Sequence, residues 1–313
     1  MLRYVLRRLG RGIVLVAVVA VTTFFLLYAG SGDIARTILG DAATEETVLR
    51  KQQELGLDRP VSVQFGEWAL HAVQGDLGRS WFSGQPVVDA IGSRVAVTLA
   101  LVVGATLVSA LVAVVLGVLA ARTGGWVDRV VQAGSVIGIA IPGFLLAIGL
   151  VFTFAVTLGW FRPTGYVEFA RSPGGWLASI VLPVTALAVS AIAGVAQQVR
   201  GSMLDVQRQD WVRTLRSRGL PERRVVYLHV LRSAAGPALS VLAVQFIALI
   251  GGAVFVEQIF AIPGLGQVAV QATGRGDIPL VLGLVIVVTV IVVVVNLVVD
   301  LLQGWLNPKV RRS

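Results

Sequence analysis

The chain has 313 residues, 56% of them hydrophobic and only 14% charged, with a mean hydropathy of +0.84 and a net charge of +9. A soluble domain of that length needs a far more polar surface. With no cysteine in the sequence, disulfides, thiolate metal sites and cysteine nucleophiles are excluded as well.

Runs such as "LALVVGATLVSALVAVVLGVLAA" and "VLGLVIVVTVIVVVVNLVV" exceed the roughly 18 uncharged apolar residues that mark a transmembrane helix. Barrel strands would alternate over about ten residues, so the pattern predicts an all-α integral membrane protein. Six spans are expected, at 12–30, 95–121, 130–158, 176–199, 238–260 and 278–302. The first follows the basic segment "MLRYVLRRLGR". Its apolar run of about 19 residues is longer than a signal-peptide core and "YAGSGDIA" is a weak cleavage site, so a retained anchor is expected.

Between the first two spans lies a polar loop, 31–94, with helix-like pieces at "TEETVLRKQQELGL" and "PVSVQFGEWALHAVQGDLG". Thr44, followed by Glu46 and Thr47, fits the cap of the first piece. Further on, "AIPGF" at 140–144, "VLPVT" at 181–185 and Gly251–Gly252 interrupt apolar runs. Pro142 is expected to kink the third span, and such breaks read either as packing irregularities or as the lining of a translocation path. "GSVIG" at 134–138 has the close-packing spacing, a weak signal in so glycine-rich a chain. His71 and His229 are read as ordinary residues of polar loops.

Arginine and lysine set the orientation. With the N-terminus inside, segments 1–11, 122–129, 200–237 and 303–313 hold most of the basic residues and a minority of the acidic ones. Both termini are therefore expected to be cytoplasmic, and the positive charge marks topology and lipid contact without requiring nucleic acid. The resulting organisation is an N-terminus and first helix at 1–30, an extracytoplasmic loop at 31–94, a five-helix core at 95–302 containing the cytoplasmic loop 200–237, and a tail at 303–313.

That inner loop includes "DWVRTLRSRGLPERRVVYLHVLRSAAGP", with six arginines. Asp210 fits an N-cap, "WVRTLRSR" two helical turns, Gly219 a left-handed closing residue and Pro221 the first turn of the next helix. Pro237 is read as opening the fifth span. The product is a helix–turn–helix hairpin with an arginine-rich surface and an apolar minority of Trp211, Val212, Leu215, Val225 and Leu228. Two readings are open: a helix lying on lipid, or a rigid knob presented to a groove in a protein partner.

The same stretch resembles the EAA loop of importer-type ABC-transporter permeases, an acidic residue and a short helix with a glycine nine residues on. The likeness is to the B-type permease subunit of the oligopeptide/dipeptide/nickel family and runs along nearly the whole chain. "MLRYVLRRLGRGI" resembles its N-terminus, "ELGLDRPVSVQFGEWALHAVQGDLGRSW" its first outer loop, "VFVEQIFAIPGLGQVAVQATGRGDIPLV" the stretch between its last two spans, and "NPKVR" its tail. Two departures stand out. Thr214 and Leu215 replace the loop's namesake alanines, and Asn307-Pro308-Lys309 stands where Asp-Pro-Arg is usual.

The resemblance implies a type I ABC-importer permease in a bacterial cytoplasmic membrane, with a short coupling helix seated in a cleft of an ATP-binding subunit. Asp210, Gly219 and the surrounding arginines map onto the motif. Arg213 and Arg223 are then expected to make polar contacts, and Trp211 and Leu215 to fill the cleft. Implied partners are a C-type second permease, two ATP-binding subunits, an extracytoplasmic solute-binding protein and membrane lipid, with peptide as cargo. ATP and magnesium would belong to the partners, and no cofactor to this chain.

The residues themselves agree with an outside energy source. A phosphate cradle needs lysine followed by a hydroxyl residue, whereas Lys51 and Lys309 precede Gln52 and Val310. Ion-coupled transporters keep carboxylates or histidines within their spans; spans two to four as drawn hold none, and Glu257 and Asp300 lie near span ends. No Ser–His or paired-Asp set is available for an intramembrane hydrolase. A channel or scaffold subunit without an ATPase is the alternative class. Glu257, at the outer boundary before Pro263 and Gly264, is read either as capping a surface loop or as part of an outer gate or docking face.

Overall fold

The computed structural model describes residues 2–30, 34–40 and 42–306. Asn307, Pro308 and Lys309 lie outside the described residues. Among the described residues the regular secondary structure is helical, apart from one isolated antiparallel bridge between Arg79 and Pro86. In order the helices are α1 (Leu2–Ala29), α2 (Ile34–Leu39), α3 (Glu45–Glu54), α4 (Val61–Val73), α5 (Val87–Thr123), α6 (Gly125–Ala140), α7 (Gly143–Leu150), α8 (Pro173–Gln207), α9 (Asp210–Ser217), α10 (Glu222–Arg224), α11 (Leu231–Ile259), α12 (Leu265–Arg275) and α13 (Ile278–Leu306). Two π-helical segments, Val151–Thr157 and Val225–Val230, extend α7 and join α10 to α11.

Five helical stretches among the described residues are long and apolar enough to cross a membrane: Val5–Ala29, Val87–Thr123, Pro173–Gln207, Glu222–Ile259 and Ile278–Trp305. The sixth expected span is a broken one. Gly125–Ala140 and Gly143–Thr157 meet at a bend of 95°. The break sits at Pro142, whose ring pushes the preceding residue out of the helical region; Ile141 accordingly has φ −84° and ψ 119°. The other two expected interruptions do not break anything. Pro183 is buried inside α8 and Gly251–Gly252 lies within an unbroken α11. Pro237 also lies inside α11, which continues upstream through the π segment to Glu222, so the fifth helix opens 15 residues earlier than the proline suggested. His71 is in α4 and His229 in the π segment, so neither is a loop residue.

The chain divides into two compact units, Thr98–Ile262 with the chain from Val295 on, and Leu2–Val97 with Pro263–Val294. In the first, α8 is the hub: α6, α7 and α11 pack against it, and more than a dozen of its side chains are buried. Small residues permit the closest approaches. A Cβ on Gly117 would meet the Ala196 carbonyl at 2.9 Å, and one on Gly138 would meet the Ala193 methyl at 3.2 Å. The Ser109 hydroxyl donates to the Ala188 carbonyl at 3.2 Å, joining α5 to α8. α8 itself starts on a side-chain cap, Ser172 accepting from the Gly175 amide, with Pro173 in the first turn where its missing N–H costs nothing.

The second unit gathers α1–α4, the first turns of α5, α12 and the first half of α13. Thr44 caps α3 as expected, accepting from the Thr47 amide. An aromatic cluster ties α1 to α4: Phe24, fully buried, stacks on Tyr28 at 4.1 Å between ring centroids and meets Phe65 edge-on at 5.2 Å. Val87, Ile91, Leu265, Val268 and Leu284 form a second apolar cluster. Gly283 leaves room there for the Val87 side chain, which an added Cβ would strike.

Candidate functional site

The segment between α8 and α11 folds as a hairpin. α9 is two turns long, with Asp210 in its first turn and Arg216 in its last, charges that suit the two ends of the helix dipole. Asp210 is not the cap expected of it. Gln209 is the capping position, without a side-chain hydrogen bond, and Asp210 is the first helical residue. Its carboxylate lies 3.7 Å from the Arg213 guanidinium, in an exposed pair one turn apart.

The helix closes as the sequence indicates. Gly219 has φ +78°; its amide donates to the Arg216 carbonyl at 2.9 Å and the Leu220 amide to the Leu215 carbonyl at 3.3 Å. This is the double-bonded termination that requires a left-handed residue at its centre. Pro221 stands one position earlier than expected, capping the next turn from outside, and its carbonyl accepts from the Arg224 amide at 2.8 Å. Across the corner, Arg216 holds the Glu222 carboxylate through two nitrogens at 2.7 and 3.1 Å. That hydrogen-bonded carboxylate raises the Arg216 pKa above its already high ordinary value.

Burial separates two faces. Val212 is fully buried in a cluster with Val199, Met203 and Val206 of α8 and Val225, Val226 and Val230 of the π segment. Leu215 and Leu220 pack half-buried against the same cluster. Trp211, Arg213 and Arg223 point outward: Trp211 is 37% exposed and the Arg213 side chain 76%. So Leu215 belongs mainly to the hairpin's foundation, while Trp211 and Arg213, about 200° apart around the helix, are exposed on the two flanks of Val212. Val212 alone removes enough apolar surface to contribute about 1.5–3 kcal/mol. The hairpin is therefore seated on α8 and the fifth helix as a solid piece.

Glu257 is fully buried near the end of α11, where the Thr98 hydroxyl donates to its Oε1 at 2.5 Å. After it, α11 closes on the same double-bonded termination as α9, with the Ile262 amide donating to the Glu257 carbonyl at 2.9 Å. The left-handed residue here is Ala261, at φ +50°, and not a glycine. Pro263 and Gly264 belong to the other unit, in which Gly264 is the extended residue before α12. In that unit the Asp277 carboxylate accepts from the Ser80 hydroxyl and from the Trp81 amide at 3.2 Å, while the Ser80 oxygen accepts from the Phe82 and Ser83 amides. Asp277 is 3% exposed. Sequence reading missed this staple. The signal available was the acidic residue directly before α13, which suggests a helix cap and gives no sign of its distant partner. Among the described residues, no group of three or more His, Asp or Glu is arranged to hold a metal ion.

The sequence matches the family described as binding-protein-dependent transport system inner membrane component over residues 113–312, and the N-terminal model of that family over residues 1–102. The chain belongs to this family. Among its relatives is a "Putative peptide transport system permease protein" of Brucella abortus (strain 2308), 42% identical over 308 residues and 98% of each chain. The "Glutathione transport system permease protein GsiC" of Salmonella choleraesuis (strain SC-B67) is 36% identical over 312 residues and 99% of each chain. Solved structures with this fold include the MetNI methionine ABC transporter in inward-facing conformations, with a TM-score of 0.51 at 19% identity over 68% of this chain and 92% of that one. A second is an amino acid ABC transporter crystallised with histidines, with a TM-score of 0.52 at 16% identity over 69% of this chain and 94% of that one. The family membership and the apolar helices make this a multi-pass membrane protein and a transport-system permease.

Proposed function

We propose that this chain is one half of the membrane pore of a peptide importer powered by separate ATP-binding subunits. The observation that carries the reading is the hairpin: a short helix with Trp211 and Arg213 exposed on its two flanks and Val212, between them, locking it to α8 and the fifth helix. A helix resting on lipid needs no such corner, whereas a knob that must transmit force does. The cleft of an ATP-binding subunit is the partner that suits it. Closure of that subunit on ATP then displaces α9, and through the Val212 cluster the spans reorient between inward- and outward-open states.

The remaining assignments follow from the same reading. The arginine-rich hairpin and both termini face the cytoplasm of a bacterial cell, in keeping with the positive-inside distribution. A C-type permease supplies the other half of the pore, and a solute-binding protein delivers cargo to the opposite face. Peptide is the cargo supported by the names of the relatives. Hydrolysis takes place in the partners and the chain breaks no bond.

The test is co-purification of the tagged chain in mild detergent beside a Trp211→Glu/Arg213→Glu variant. Both changed residues are exposed, and Val212, which anchors α9, is left in place. An ATP-binding subunit is expected to co-elute with wild type and to be lost from the variant. Absence of the ATPase from both would sink the reading and favour a channel or scaffold subunit.

A further inference from the structure

α6 is a rod with a break at each end. It starts at Gly125, which like the capping Gly124 lies in the left-handed region, at φ +57° and +62°, and stops at the 95° turn around Pro142. It packs along α8, and two of its contacts there mark its two ends. Towards its far end, Gly138 packs on the Ala193 methyl. At its foot, the Arg200 guanidinium grips the Asp128 carboxylate with two nitrogens, Nε on Oδ1 and Nη2 on Oδ2, the latter at 2.6 Å. Gln132, one turn on, donates to the same carboxylate at 3.0 Å. The pair is shielded, with the Arg200 side chain 24% exposed and that of Asp128 17%.

The position of Arg200 on α8 gives the pair its interest. The next turns of α8 carry Met203 and Val206, which belong to the cluster that buries Val212 of α9. A continuous path therefore runs from the hairpin through the end of α8 to Arg200, and across to Asp128. A shielded ion pair is a poor choice for strength alone, because apolar residues of similar volume often hold helices at least as well. What the two-pronged guanidinium–carboxylate contact adds is direction, since it fixes the angle and register of the two groups. An apolar pair of side chains at the same place would hold α6 close without fixing that angle.

Resting on the coupling reading above, we infer that Asp128 and Arg200 form the joint that makes α6 follow α8 when the α9 hairpin is displaced, with Gly124–Gly125 and Pro142 as its hinges. Both are positioning residues. They touch neither nucleotide nor cargo, and they decide whether movement of the hairpin is delivered to the broken third span.

The experiment uses the assembled transporter, with its partner permease, ATP-binding subunits and binding protein, in proteoliposomes, and reads peptide uptake per ATP hydrolysed. Asp128→Asn and Arg200→Gln should assemble and keep turning over ATP, with uptake per ATP lowered on the order of tenfold, within the usual range of coupling between sites. The exchanged pair, Asp128→Arg/Arg200→Asp, should recover most of the loss. Because single variants leave a shielded charge alone, an apolar pair, Asp128→Leu/Arg200→Met, separates folding from coupling: it should assemble and remain uncoupled. Wild-type uptake per ATP in the apolar pair or in the single variants overturns the joint, as does an exchanged pair that fails as badly as the singles. If the wild-type assembly shows no ATP-driven uptake, the coupling reading falls and takes the joint with it. If wild type couples and the variants couple equally, only the joint falls.

Discussion

Substituting Gly219 isolates the role of the hairpin corner. An added Cβ there meets nothing within 4 Å, so the cost of a side chain is purely conformational. At φ +78° an ordinary L-residue is penalised by about 1–2 kcal/mol, and a β-branched one by more, being a genuine outlier in that region. The corner is held by two backbone hydrogen bonds, from the Gly219 and Leu220 amides, each worth about 0.5–1.5 kcal/mol net. The penalty is as large as what resists it. Gly219→Val should therefore deplete the native corner about 5- to 30-fold relative to unwound alternatives, while Val212 keeps the rest of α9 seated. Gly219→Asn, which tolerates the left-handed region, should stay close to wild type. In proteoliposomes with the partner subunits, the valine variant is expected to lose ATP-driven uptake and the asparagine variant to keep most of it. Normal uptake by the valine variant would refute the argument. Equal loss in both would move the cause from the backbone to a side-chain clash with the partner.

Other expectations can be checked on the purified chain. Asp277→Ala strips the acceptor from the Ser80 hydroxyl and the Trp81 amide, so hydrogen exchange should accelerate over 78–86 while the hairpin at 210–224 stays protected. Thr98→Val removes a buried donor to Glu257 and should cost about 0.5–1.5 kcal/mol, the net worth of a typical hydrogen bond, seen as a lower thermal midpoint; Thr98→Ser should restore most of it. Thr44→Ala should fray the start of α3 at a cost of about 1 kcal/mol, visible as faster exchange at Thr47 and Val48 only. Arg216→Met breaks an exposed pair with Glu222, whose side chains are 39% and 51% accessible, and should change stability by less than about 1 kcal/mol. A large loss would mean the pair carries more than geometry suggests.

What could be read in advance follows the physics of each signal. Apolar runs disclose spans because the bilayer demands length and backbone satisfaction, and five of the six expected stretches are long single helices. Proline is a weaker sign. Pro142 breaks its helix, but Pro183 and Pro237 sit inside theirs, because neighbours can satisfy the freed carbonyl and no local rule says when they will. Gly219 was legible since only glycine takes that backbone angle freely. By the same logic Ala261 was not, since an alanine gives no local sign that it will take a left-handed angle. The exposed residues of α9 could be only half assigned. Trp211 and Arg213 do lie outward, but whether Leu215 faces a partner or its own core depends on where α8 and the π segment run. Asp128–Arg200, Thr98–Glu257 and Ser80–Asp277 each join residues dozens of positions apart or more, and a single sequence carries no mark of such pairings.

The π segment Val225–Val230 sets the azimuth of everything upstream of it. Such a bulge holds one residue more than a regular turn needs, and each residue of an α-helix turns the chain by about 100°. Deleting one residue there would turn Val225 and Val226 by about that angle away from Val212 and the end of α8, with which they form the cluster that seats the hairpin. The bulge thus acts as a phase adjuster, bringing the register of the fifth helix into step with the hairpin that α8 anchors at its other end.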